Sequence, residues 1–70
     1  MSRSYNHYLD TERKLLLVAV LKNVPSYGWT EKAIIQGADD AGFDDDVRLR
    51  AFPGGVVEII EYWSILTDQD

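Results

Sequence analysis

The fold turns on residues Val24 to Gly55, VPSYGWTEKAIIQGADDAGFDDDVRLRAFPGG. Its punctuation cuts the stretch into two short helical segments. Pro25 ends regular helical hydrogen bonding because it has no N–H to give, and Gly28 suits the left-handed residue that closes a helix. Thr30 then reads as an N-cap, with Glu31 at the positive end of the helix dipole. Ala33, Ile34, Gly37, Ala38 and Ala41 follow at helical spacing. A glycine inside a helix costs roughly 1 kcal/mol relative to alanine, so Gly37 implies the close approach of another backbone. Gly42 marks the end of that helix. Asp44 or Asp45 caps the next, Asp45–Phe52, which Pro53-Gly54-Gly55 stops. Helix, tight turn, helix is the spacing of a helix-turn-helix unit.

The flanks supply a supporting helix on either side. Helix one is expected to start at Asp10 or Thr11, with Asp10 as N-cap and Glu12 in the first turn. Seven consecutive apolar residues, Leu15 to Leu21, follow. At 3.6 residues per turn Leu16, Ala19, Val20 and Val24 share one face, and Lys14, Val18 and Lys22 share the opposite one. The run is wider than one stripe, so Val18 is expected to face solvent or a partner. Helix four is expected from Val56 to Leu66. Val56, Ile59, Ile60, Trp63 and Leu66 are assigned to its core face, and Glu58, Glu61 and Ile65 look outward. Val18 and Ile65 therefore mark a candidate docking surface. The chain reads as all-α, a small bundle of about four helices: residues 1–9 a mobile tail, 10–67 the helix-turn-helix head, and 68–70 a frayed end.

Composition narrows the function. Seventy residues make one small domain, and a chain this short buries only about 60% of its unfolded surface. With no cysteine, neither disulfides nor thiolate metal sites contribute. Packing must supply the stability, and 46% hydrophobic residues with two Trp, two Phe and four Tyr suffice. Trp29, between the residue that closes one helix and the residue that caps the next, reads as a core anchor. The Leu15–Leu21 run is too short to cross a bilayer and has no cleavage site after it, so a cytoplasmic domain without membrane contact is expected.

No enzyme is expected, and no catalytic residue, cofactor or metal site is assigned. The only histidine, His7, lies in the stretch read as a tail, and no carboxylate pair sits on a buried face. The run Asp44–Asp46 lacks the alternating oxygens and the later bidentate Glu of a calcium loop, so capping explains it better. Arg48 and Arg50 occupy the helix that would read DNA. Three aspartates just upstream and a net charge of −5 oppose phosphate contact, so no nucleic-acid partner is expected. A DNA-binding regulator using Arg48 and Arg50 is the alternative reading.

The string Val24-Pro25-x-x-Gly28-Trp29-Thr30, with Ala33, Gly37-Ala38-x-x-Ala41-Gly42 and Phe52-Pro53-x-Gly55, resembles the N-terminal region of the ubiquinone (coenzyme Q) biosynthesis lipid-binding accessory proteins, the ninth Coq protein and its bacterial relatives. The resemblance covers about Arg13 to Trp63. It implies a TetR-like, homeodomain-like helix-turn-helix head followed by a larger all-helical domain. In that family the lipid cavity, the membrane-associating helix and the surface for the pathway's di-iron hydroxylase lie in the later helices, so no lipid-site residue carries over to this chain. The partner implied is the C-terminal lipid-binding helical domain, with the hydroxylase engaged through it. A homodimer is compatible with this arrangement, and a bacterial source is expected.

Overall fold

The structure, a computed structural model, describes residues 3–68, with side chains from residue 10 onward. It contains four helices: α1 (Arg3–Tyr27), α2 (Glu31–Ala41), α3 (Asp45–Ala51) and α4 (Val56–Asp68). The all-α bundle of about four helices expected from the sequence is present among the described residues.

The start of α1 differs from expectation. The helix begins at Arg3, so most of the stretch read as a tail is helical; Met1 and Ser2 lie outside the described residues, as do Gln69 and Asp70. No Gly or Pro interrupts residues 3–24, and extending an existing helix is far easier than nucleating one. Asp10 is therefore not an N-cap. Its carboxylate sits mid-helix, 3.5 Å from Lys14 and 3.4 Å from the Tyr62 hydroxyl. Pro25 also lies inside α1 rather than ending it. It forfeits one amide near the helix end, and the helix closes after Tyr27, where Gly28 takes φ 73° and donates its N–H to the Val24 carbonyl at 2.6 Å.

The central caps form as the sequence implies. The Thr30 hydroxyl donates to the Tyr27 carbonyl at 3.0 Å and accepts the Ala33 amide at 3.4 Å, tying the end of α1 to the start of α2. At the other end of α2, Gly42 is left-handed; its N–H reaches the Asp39 carbonyl, and that of Phe43 reaches Ala38 at 2.8 Å. This paired closure satisfies carbonyls that a helix end leaves orphaned. It also turns Phe43 back onto the core. Asp44 caps α3 by accepting the Val47 amide at 3.0 Å.

The core is built from Leu16, Leu17 and Val20 of α1, Ala33, Ile34 and Ala38 of α2, Ala51 of α3 and Phe52 after it, and Ile59 and Tyr62 of α4. Gly37 is buried where α1 and α2 meet, and its Cα faces the backbone of Val20. The phase of α4 needs correction. Tyr62 takes the core position assigned to Trp63, and Ile60 and Trp63 are exposed. Trp63 instead packs at the rim against Trp29, ring centroids 5.4 Å apart. Trp29 is itself only half-buried and packs against the core from its edge.

Glu58, expected to look outward, turns in. One carboxylate oxygen accepts the Gly54 amide at 2.7 Å; the other pairs with Arg13 at 3.2 Å. The Arg13 guanidinium lies over the rings of Phe52 and Tyr62, at 4.8 and 4.5 Å from their centroids. One arginine therefore joins α1, the end of α3 and α4.

Candidate docking surface

The two arginines of the DNA-reading alternative are engaged within the domain. Arg48 reaches back from α3 to Glu31 of α2 at 3.2 Å and along its own helix to Asp45 at 3.4 Å. Its side chain is 12% exposed, which places the guanidinium in the joint between the two helices. Arg50 pairs with Asp46 at 2.7 Å. An arginine already neutralised by a neighbouring carboxylate has little field to offer a phosphate. The two aspartates that begin α3 thus have a second role that sequence spacing hints at: Asp45–Arg48 is an i,i+3 pair and Asp46–Arg50 an i,i+4 pair. The Glu31–Arg48 pair, by contrast, depends on the angle between α2 and α3.

Lys32 lies over the Tyr27 ring at 5.9 Å, and Lys14 pairs with Asp10. Among the described residues no group of three or more His, Asp or Glu side chains could hold a metal ion. No helix among them is long and apolar enough to cross a membrane.

Val18 and Ile65 are both exposed, at 50% and 56%. Val18 lines a groove of about 290 Å³ with Leu15, Ala19 and Lys22 of α1 and Asp40 and Ala41 at the end of α2. The rim is polar and ordered. Asn23 donates to the Ala19 carbonyl at 2.8 Å and to the Asp40 carboxylate at 3.0 Å, and Gln36 donates to the second Asp40 oxygen at 3.0 Å. The hydrogen bond from Asn23, then that from Gln36, holds the Asp40 carboxyl below its ordinary pKa.

Ile65 lies elsewhere, on the outward side of α4, and no α4 residue lines the groove. The structure places the two residues in separate exposed areas. The outward side of α4 also holds Val57 and Ile60, exposed by 67% and 38%; Trp63, 40% exposed, lies on the other side of the helix, beside Trp29. Of these, the sequence phase identified only Ile65.

No family model and no solved structure matches this sequence. Two curated relatives do. Over 56 residues the chain is 36% identical to the ubiquinone biosynthesis protein COQ9, mitochondrial, of Drosophila melanogaster, covering 80% of this chain and 17% of the relative. Over 55 residues it is 33% identical to the corresponding coq9 protein, also named as mitochondrial, of Schizosaccharomyces pombe, covering 79% and 22%. The chain thus spans about a fifth of the length of these relatives. Both relatives are eukaryotic and named as mitochondrial; neither bears on the bacterial, cytoplasmic setting expected for this chain.

Proposed function

We propose, from this chain's membership of the COQ9 family of ubiquinone-biosynthesis proteins, that its four helices form a non-catalytic head domain whose work is docking. The occupant of its exposed aliphatic surfaces is the family's lipid-binding helical domain, which the resemblance assigns to the later part of the protein. The hydroxylase of the pathway is engaged through that domain, and the head stays in the aqueous cytoplasm. One observation carries the reading. Arg48 and Arg50, the side chains a DNA reader would use, are engaged by Glu31, Asp45 and Asp46, whereas aliphatic side chains on α1 and α4 stand in solvent. Isolated exposed aliphatics are ordinary; two areas, one of them a groove, are what a packed neighbour would cover.

The test compares two double variants of the gene product in cells that depend on it for ubiquinone. Val18→Glu/Ile65→Glu places charge in both docking areas and is expected to lower ubiquinone content. Arg48→Gln/Arg50→Gln is expected to leave it unchanged where protein levels are matched. The opposite pattern favours the DNA-binding regulator.

A further inference from the structure

The outward side of α4 combines apolar and acidic groups in a way that specifies its partner's charge. At helical spacing Val57, Ile60, Glu61, Ser64, Ile65 and Asp68 share that side, opposite the buried Ile59 and Tyr62. The helix contains no Lys or Arg. Of its acidic residues, Glu58 is turned inward and engaged by Arg13 and the Gly54 amide. Glu61 and Asp68, seven residues apart and so on one line along the helix, are exposed, and none of the ion pairs among the described residues engages either.

We infer that the outward face of α4 docks a cationic amphipathic helix, with Val57, Ile60 and Ile65 covering its aliphatic side chains and Glu61 and Asp68 meeting its Lys or Arg. This rests on the docking reading above and adds the chemistry of the occupant. Three occupants compete, and charge separates them. A second copy packed through the same face would set two acidic helices without a cation against each other, and like charges at an interface are repulsive. An anionic lipid surface attracts basic segments, and this face has none. A helix with aliphatic residues along one stripe and cations beside it satisfies both kinds of group at once, in the helix-on-apolar-surface mode of recognition. The net charge of −5 over the whole chain steers a cationic partner toward it.

Three synthetic helical peptides of about 18 residues, roughly five turns, serve as probes. Each carries the same leucine stripe, flanked by Lys, by Gln or by Glu. They are titrated against the 70-residue chain, with tryptophan fluorescence and calorimetry as readouts. The Lys peptide is expected to bind, and to weaken about tenfold or more between roughly 50 mM and 500 mM salt, as screening requires. Glu61→Lys/Asp68→Lys is expected to abolish that binding and to transfer it to the Glu peptide, while circular dichroism shows the helices intact. Equal binding of all three peptides, binding indifferent to the charge reversal, or no binding of the Lys peptide overturns the inference. Sedimentation showing a dimer that Val57→Glu dissociates would also overturn it, in favour of a second copy. Docking itself is judged separately, by whether a COQ9-family lipid-binding helical domain, added in trans, covers α4. If α4 is covered there and the Lys peptide shows no preference, the charge assignment fails alone.

Discussion

Gly37 of α2 lies so close to Val20 of α1 that a Cβ built on the glycine would stand 2.9 Å from the Val20 backbone nitrogen and 3.0 Å from its Cα. Two effects of Gly37→Ala therefore oppose each other. Helix propensity favours alanine by roughly 1 kcal/mol. The obstacle is backbone in the middle of a helix, which cannot rotate away as a flexible side chain can, and overpacking of this kind costs about 1–3 kcal/mol. Denaturant melts of Gly37→Ala are expected to show a net loss of stability. A gain would mean that α1 and α2 separate more easily than their contact suggests.

Arg13 is expected not to tolerate lysine. Its planar guanidinium pairs with Glu58 while lying over Phe52 and Tyr62, and an ammonium cannot reproduce the stacked geometry. Arg13→Lys should lose about 1–2 kcal/mol, the scale of partly desolvated cation–π contacts. Melts read alongside Lys14→Arg, a change at an exposed position, isolate this from the general effect of exchanging the two residues.

Tyr62 gives the domain an alkaline limit. Burial of its ring and hydroxyl, and then the negative charge of Asp10, raise its pKa above the ordinary value, against a smaller lowering by Arg13. A folded-state pKa above the unfolded one means the unfolded chain loses the proton first. The neutral hydroxyl's contribution to stability is then whole below about pH 10, the unfolded value, and is lost as pH rises through the folded value. Melts from pH 9 to 11 (~2 units across the unfolded value) are expected to show falling stability, and Tyr62→Phe should flatten that fall. An equal slope in both proteins would assign the alkaline loss to other groups.

Direct DNA contact should be weak and unselective. Specific contact sets neutralise about 6–10 phosphates, and Arg48 and Arg50 are already paired within the domain. A titration against the gene's own upstream DNA at about 50 mM salt favours any binding there is. Binding tighter than about 1 μM, selective for sequence and lost in Arg48→Gln/Arg50→Gln, would reverse this expectation.

What the sequence discloses here is what is local in the chain. Thr30, Gly42 and Asp44 act on residues close to themselves in the chain, so their roles as caps and turn could be read in advance. Gly37 was legible for a different reason: a glycine among good helix formers needs a neighbour to justify it. The start of α1 was missed because Asp10 resembles a cap while nothing upstream of it actually stops a helix. The phase of α4 was missed because Val56, Val57, Ile59, Ile60, Trp63, Ile65 and Leu66 surround the helix almost completely, and a stripe that wide fixes no direction. The pairing of Arg13 with Glu58 across 45 residues leaves no mark in local spacing. At the docking surface, Val18 was legible from its place between Lys14 and Lys22. That Val18 and Ile65 occupy separate areas depends on how the helices cross, which the pattern of residues does not record.

Hydroxyl-radical footprinting tests docking most directly, because it reads solvent access to side chains rather than to helical amides. The 70-residue chain is compared alone and with the proposed partner, a lipid-binding helical domain of the COQ9 family, added in trans. Docking predicts that oxidation falls in the presence of that domain at Leu15 and Val18 on α1 and at Val57, Ile60 and Ile65 on α4, while Leu49 on α3, exposed by 52%, stays as reactive as before. Unchanged oxidation at every one of the α1 and α4 positions would contradict it.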